Sequence, residues 1–339
     1  MAGCVYVSRL DDQVNVQRAL LTGATGFVGW HVAKKLKERG WEVRALSRSG
    51  PITDLDVETV PGDLRDEPSL TQACIGCSHV FHVAADYRLW TADPVQMYES
   101  NVEGTRKLLR AAHLAKAEKI VYCSTVGAVG MRKGLIADEA SPVGIDDMKG
   151  HYKRSKYKAE QVALEAAREG VPVVIVNPTT PVGDHDVKPT PTGKVIVDFL
   201  AGRIPAFIDT GLNYVDVEDV AEGHLLAAQH GRIGERYILG SENLTLKQML
   251  DRLAAQSGLR APTIQVPYAL AYTAALLSTG LSAITGKHPA IPLDGVRYAH
   301  IKMWVNCAKA EAELGYAPKP VDAALRRAVE WIRRAGTNG

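Results

Sequence analysis

Two tyrosines and four basic side chains share the ten residues HYKRSKYKAE, 151 to 160. In a helix, side chains four apart lie on one face, whereas those one or two apart do not. Only Tyr152 has a lysine at that spacing, Lys156; Tyr157 has Gln161 there, and Lys153 and Arg154 point elsewhere. A phenol titrating near pH 10 is a poor acid or base at neutrality, and an adjacent ammonium favours the phenolate and lowers that value. Tyr152 could then exchange a proton with a reacting oxygen while Lys156 supplies the charge and bonds a cofactor ribose. Alone, a Tyr and a Lys four apart also arise by chance on amphipathic helices, so their weight depends on what accompanies them.

A second constellation lies upstream in LLTGATGFVGWHVAKKL, where Gly23, Gly26 and Gly29 are three apart between a strand-like and a helix-like run. Gly23 can make the tight turn, Gly26 lets backbone approach a pyrophosphate, and Gly29 lets the helix pack on the sheet, with amides of the helix N-terminus facing the anion. A dinucleotide is the expected ligand. The next strand ends VRALSRSG, with Ser47 where an acid would read a free ribose 2'-hydroxyl and Arg48 beside it. A carboxylate there would repel a 2'-phosphate, whereas Arg48 would pair with one, so NADP(H) is favoured over NAD(H).

The elements that must position these groups alternate. RALLTG, EVRALSR, HVFHVAA, KIVYCST and VPVVIVNP have strand length, and the segments 27–39, 67–75, 96–115 and 151–169 have helical period. Repeated strand then helix predicts an α/β fold, a doubly wound parallel sheet of Rossmann type with helices on both faces and ligands at the carboxyl ends of the strands. A chain of 339 residues with 46% hydrophobic content can bury such a core. Forty Lys and Arg against 38 Asp and Glu leave only +2, which points to small-molecule partners and away from nucleic acid. The five cysteines, at 4, 74, 77, 123 and 307, form one CxxC with no second pair. They predict reduced thiols in the cytoplasm and no metal site. Residues 1–16 carry no apolar core of signal-peptide length and read as a frayed leader.

Together with VYCSTVG at the end of the fifth strand, the tyrosine–lysine pair and the glycine turn resemble the extended short-chain dehydrogenase/reductase superfamily, from about Arg18 to the last helix. The resemblance implies an NAD(P)-dependent enzyme, with Thr25, Phe27 and Val28 of TGATGFVG as further cofactor contacts. GDLRD would place Asp63 and Leu64 by the adenine, VFHVAA would line the cofactor with Val83, Ala84 and Ala85, and NVEGTRKLLRAA would contribute Asn101, with Lys107 where the family has Asn. NPTTPVG would flank the nicotinamide through Pro178 and Thr179. Thr125 maps to the catalytic hydroxyl that bonds the reacting oxygen, with Ser124 as its support or rival, alongside Tyr152 and Lys156. His82 is expected as a packed strand histidine. Asp86, Tyr87 and Trp90 follow a cofactor-lining strand and are expected either as substrate-pocket wall or as a polar loop.

Within the superfamily, Val126 and Gly127 stand where sugar 4,6-dehydratases place their Asp and Glu, so dehydration lacks its acid and base. TGLNYVDVEDVAEGH resembles nucleotide-sugar epimerases, but Leu212 and Asn213 replace their diphosphate arginine, leaving Arg297 as a second phosphate contact. HVAADYRLW, TPTGKVIVDFLAGRIPAFIDTGLN and KAEAELGY resemble the dihydroflavonol-reductase-like branch associated with hopanoid synthesis and named for sugar epimerisation. The expected activity is hydride transfer between NADP and a carbonyl or alcohol of a mainly apolar molecule. The alternatives are a nucleotide-sugar epimerase and a non-catalytic NADP-binding sensor or scaffold.

Residues 17–180 with 214–240 are expected to form the cofactor domain, and 181–213 with 241–335 a smaller substrate domain. The segment 261–286 has no charge, but Ser, Thr, Gly and Pro run through it. That argues for a core helix rather than a spanning one, with an apolar lid or a shallow membrane contact as the other readings. A homodimer is expected.

Overall fold

A computed structural model describes residues 17–88, 93–285, 296, 299 and 301–336. The leader, Trp90 and Arg297 lie outside these residues.

The alternation produces β1 (Arg18–Thr22), α1 (Phe27–Glu38), β2 (Glu42–Ser47), β3 (Glu58–Pro61), α2 (Glu67–Cys74) and β4 (His79–His82). Then come α3 (Pro94–Tyr98), α4 (Gly104–Leu114), β5 (Lys119–Cys123), α5 (His151–Arg168) and β6 (Val173–Pro178). The edge strand β3 was not apparent in the sequence alternation, because its burial is only partial and its four residues include a proline. Downstream lie β7 (Thr180–Val182), α6 (Pro191–Leu200), β8 (Ala206–Phe207), β9 (Gly211–Asp216), α7 (Val217–His230) and β10 (Arg236–Leu239). The last elements are β11 (Glu242–Thr245), α8 (Leu246–Ser257), β12 (Ile264–Gln265), α9 (Tyr268–Thr285), α10 (Ala308–Leu314) and α11 (Asp322–Gly336).

Seven strands form one parallel sheet in the order β10-β6-β5-β4-β1-β2-β3. Such strands are apolar on both faces because helices cover both. The alternating side chains of β1 show this: Ala19 and Leu21 pack with Val32 and Leu36 of α1 and Val220 and Leu225 of α7. Leu20 faces the opposite layer, with Leu108 of α4 and Ala159 and Val162 of α5. The strand order reverses between β1 and β4, where parallel sheets leave a crevice at their carboxyl ends.

After β6 the chain builds a three-stranded sheet, β11-β9-β7, whose core joins Val182, Tyr214 and Leu244 to α8 and α11. The segment 214–240 is shared: β9 lies in this small sheet, and β10 returns to the edge of the large one.

The reading of 261–286 as a core helix is corrected. Helix α9 leaves Tyr268, Leu270, Leu276 and Leu277 exposed, with only Ala275 fully buried among its described side chains. A uniformly apolar sequence cannot distinguish a helix packed on all sides from one that stands against solvent. Among the described residues, no helix is long and apolar enough to cross a membrane.

Candidate active site

The candidate residues converge because each follows the end of a sheet strand. Thr22, His82, Cys123 and Pro178 end β1, β4, β5 and β6, and Gly23, Val83 to Asp86, Ser124 with Thr125, and Thr179 come next. Gly23 has φ +82°, and a Cβ there would lie 2.7 Å from the Ala84 nitrogen. A Cβ on Gly29 would lie 2.0 Å from the Gly23 carbonyl oxygen, so the turn and the first helical residues pack backbone against backbone. The Gly26 amide closes the turn by donating to the Gly23 oxygen at 2.9 Å. Helix α1 has no side-chain cap and no acid in its first turn, leaving its leading amides for an anion. Thr25, Phe27 and Val28 lie in this turn and helix start, which fit a dinucleotide pyrophosphate.

At the end of β2, Ser47 is buried, donates to the Gly50 carbonyl at 2.7 Å and accepts the Ser49 amide, shaping the loop on which Arg48 is exposed. Arg48 lies close enough to lower the pKa of both Asp63 and Asp86. Asp63 is gripped by Arg65 through two side-chain bonds of 2.9 and 2.8 Å, which hold its carboxyl down to about 2. Leu64 is buried against α4, where a Cβ on Gly104 would lie 2.8 Å from its own.

A buried polar relay ties the strand ends together. Thr22 Oγ1 accepts the Ala84 amide at 3.2 Å and lies 2.9 Å from His82 Nδ1. Thr105 Oγ1 lies 2.9 Å from His82 Nε2 and donates to the Asn101 carbonyl at 2.7 Å. Those directions make His82 neutral with its proton on Nε2, and burial lowers its pKa to about 3. Asn101 sits in a π-helical turn, 99–103, and clamps Asp86 by accepting its amide at 2.7 Å and donating to its carbonyl at 2.9 Å. Its other amide proton goes to Ser155 Oγ at 3.0 Å, and Ser155 donates to the Tyr152 carbonyl at 2.8 Å.

The Asp86 carboxylate pairs with Arg88 at 2.5 Å, which outweighs partial burial and keeps it below the usual range. Tyr87 is 43% exposed, and its phenol is raised by burial and then by Asp186. The Thr179 hydroxyl donates to the Leu239 carbonyl at 3.4 Å.

Tyr152 and Lys156 do share a face of α5. Burial pushes the Tyr152 phenol up to about 12, against the opposing pull of the Thr125 side chain beside it. Thr125 Oγ1 also accepts the Gly127 amide at 3.1 Å, so the neighbour of Tyr152 is Thr125, whereas Ser124 is buried with no hydrogen-bond partner for its hydroxyl. Lys156 is 2% exposed and donates to the Cys123 carbonyl at 2.8 Å and the Tyr122 hydroxyl at 3.0 Å. Burial lowers its pKa to about 8, against the opposing pull of Cys123 and Glu160. The expectation that Lys156 lowers the Tyr152 pKa is therefore not met in this arrangement. Two of the three ammonium protons are held by β5, and desolvation governs the phenol.

Residues 19–240 match the model of the NAD dependent epimerase/dehydratase family. The chain belongs to this family. It is an extended short-chain dehydrogenase/reductase, a class of nicotinamide-dependent enzymes. A Synechocystis sp. protein with a provisional dihydroflavonol 4-reductase name is 45% identical over 93% of this chain and 94% of its own. Sterol demethylase protein B of Methylococcus capsulatus is 34% identical over 94% of this chain and 98% of its own. The crystal structure of gox2253 superposes with a TM-score of 0.85 at 45% identity, covering 94% of this chain and 99% of that one.

Sequence reasoning missed Asn177, Glu160, Arg236 and Tyr122, all in or around the family's proton-transfer corner. Glu160 carried a signal, since it stands four residues beyond Lys156 on the same helical face. The others are brought in by sheet pairing and have no motif. Cys74 and Cys77 of the CxxC are buried, with Cys74 pushed up to about 12 by burial. Among the described residues no group of His, Cys, Asp or Glu could hold a metal.

Proposed function

We propose that the chain is an NADP(H)-preferring reductase of a ketone or aldehyde on a mainly apolar small molecule. The observation that carries this is the Tyr152 phenol set beside the Thr125 side chain, one helical turn from a buried Lys156. Bound nicotinamide supplies or accepts the hydride. Tyr152 transfers the proton to the carbonyl oxygen, and Thr125 orients that oxygen. Lys156, with two of its three protons on β5, directs the third toward the cofactor ribose. Gly23, Gly26 and Gly29 hold the pyrophosphate, and Asp63, Leu64 and Val83 to Ala85 line the adenine and nicotinamide sides.

Ser47 in place of an acid, with Arg48 exposed beside it, supports NADP. An apolar substrate is supported by β9, where Asn213 is consumed in bonds to Ser241 and Asn243 and no arginine stands for a diphosphate. The sterol-named relative points the same way. Helix α9 supports a shallow membrane contact through which a lipid-like substrate would arrive. The groove beside α4 and α5 carries Glu103, Arg106, Lys158 and Glu165 around Val95 and Val102. Both signs in one patch suit a symmetric homodimer, which sedimentation at rising protein concentration tests. The buried, unpaired Cys74, Cys77, Cys123 and Cys307 support a reducing, cytoplasmic setting.

The deciding experiment follows NADPH oxidation over a panel of lipid and aryl ketones beside nucleotide sugars. Tyr152→Phe should retain NADPH affinity and lose about 10² to 10⁴ in turnover, the range for a positioned acid or base. Near-normal turnover in that variant refutes the mechanism. Micromolar calorimetric binding of a nucleotide sugar would restore the epimerase reading.

A further inference from the structure

The face of α5 that carries Tyr152 and Lys156 continues to Glu160, a carboxylate with no exposed surface. Its Oε1 accepts from Arg236 Nη1 at 3.0 Å, and its Oε2 accepts from Asn177 Nδ2 at 2.7 Å. The other proton of that amide goes to the Thr125 carbonyl at 3.0 Å. Both Asn177 partners are acceptors, so the amide can face them only with its nitrogen, and its oxygen has no partner. Arg236 is fixed in turn by the Glu139 carbonyl, while Glu139 Oε1 accepts the Ile238 amide at 2.7 Å. A rigid chain thus runs from the sheet edge at β10, through Glu160 and Asn177, to the backbone of Thr125.

A buried ion pair is costly to retain, and an apolar pair of similar volume often serves packing as well. What the carboxylate does here is accept from two donors at once, one on each oxygen, while leaving Asn177 aimed at Thr125. The Thr125 hydroxyl accepts the Gly127 amide, so its own proton is directed to a second oxygen, and the direction depends on where the Thr125 backbone is held.

We propose that Glu160 is a positioning residue of the active site, which acts through Asn177 to fix Thr125 and the aim of its hydroxyl. This rests on the reading of Thr125 as the group that orients the reacting oxygen. Two measurements separate the failure of one from the failure of the other.

The first is amide hydrogen exchange at Gly127, whose N–H is bonded to Thr125 Oγ1. Glu160→Gln offers one acceptor oxygen where two are needed, so Gly127 should exchange roughly tenfold faster or more, while the amides of Val174 and Ile175 in β6 keep their rates. Unchanged protection at Gly127 overturns the proposal whether or not the protein is a reductase. The second is turnover of the best ketone from the panel with NADPH. Glu160→Gln should lower kcat by roughly 10- to 100-fold and leave KM for NADPH within about twofold. Added to Thr125→Ala, it should cost less than about threefold more, because the route it serves is already gone. Losses that multiply in the double variant show a role in packing alone and overturn the proposal. Should Glu160→Gln fail to fold, Asn177→Ser removes the same link with the Arg236 pair intact and must give the same two results.

Discussion

Replacing Gly29 or Gly26 by alanine should separate what the first turn does for folding from what it does for the cofactor. At Gly29 an added Cβ would sit 2.0 Å from the Gly23 oxygen and 2.6 Å from the Gly23 carbon, where ordinary contact begins at 3.4 Å. Both obstacles are backbone, so the turn must move by more than 1 Å. The turn is itself confined, since Gly23 lies against Ala84. Overpacking of this kind costs about 1–3 kcal/mol. Gly29→Ala should therefore lower the unfolding temperature and weaken NADPH by about tenfold or more, the loss of one charge-assisted bond of about 1.5–3 kcal/mol to the pyrophosphate.

At Gly26 the same Cβ meets only the Gly23 oxygen, at 3.3 Å, and φ is −94°, which any residue adopts. Stability should fall by about 1 kcal/mol or less, since the Gly23 oxygen has to give by only a few tenths of an ångström and alanine caps a helix less well than glycine. NADPH should nevertheless weaken tenfold or more, because the methyl group faces the place left for the pyrophosphate. Fluorescence titration with NADPH and thermal unfolding of both variants make the measurement. A Gly26→Ala protein that binds NADPH as tightly as the parent would refute the assignment of this turn to the pyrophosphate.

Arg48→Ala should weaken NADPH by roughly one to two powers of ten, the worth of a charge-assisted bond, and barely affect NADH; equal losses for both cofactors would remove the basis for NADP preference. Stability should fall below pH 6.5, because His82 and His224 are held neutral to about 3 and about 4 by burial while the unfolded chain takes up both protons. A histidine with a lowered folded pKa contributes fully above its unfolded value and loses that contribution as pH falls, which amounts to about 2 kcal/mol for His82 between pH 7 and 5. Urea unfolding of the parent and His82→Asn at both pH values isolates this, since the raised Glu139, Asp186 and Asp219 act oppositely but equally in both proteins. A difference between the two proteins that does not change with pH would contradict the neutral imidazole. Flotation with phosphatidylcholine vesicles should recover the parent and lose the Leu270→Ser/Leu276→Ser/Leu277→Ser variant, and equal recovery would dismiss α9 as a membrane contact.

The sequence made legible what depends on period and on local chain geometry. Glycines three apart between a strand and a helix mark a tight βα turn, and the pairing of Tyr152 with Lys156 needs only the helical repeat. Partners set by register across the sheet were hidden. Asn177 reaches Thr125 because β6 lies beside β5, and Arg236 reaches Glu160 because β10 returns to the edge of that sheet. Neither relation leaves a spacing in the chain. Side-chain direction was equally hidden. The motifs place Asp63 and Thr179 at strand ends, but do not show that Arg65, two residues on, bonds both oxygens of Asp63 or that the Thr179 hydroxyl donates to Leu239. Helix α9 shows a third kind of limit, since absence of charge says that a segment is apolar and not what it lies against.

The two titrating groups of α5 also bear on the direction of proton transfer. In water the phenol and the ammonium lose their protons at nearly the same pH, about 10 and about 10.4. Burial moves them past each other here, the tyrosine to about 12 and the lysine to about 8, because desolvation penalises whichever form is charged. Tyr152 thus keeps its proton throughout the neutral range, and its neighbour Thr125 can relay a hydrogen bond without accepting charge. A protonated phenol beside an oriented hydroxyl is prepared to donate when the oxygen between them gains negative charge, as a carbonyl oxygen does on receiving hydride. It is poorly prepared to remove a proton from an alcohol until another cation enters the crevice. On the proposed reductase reading, this is the protonation state from which carbonyl reduction starts. The carboxylate of Glu160, one turn further along the helix, opposes the loss of the Lys156 charge without touching the phenol.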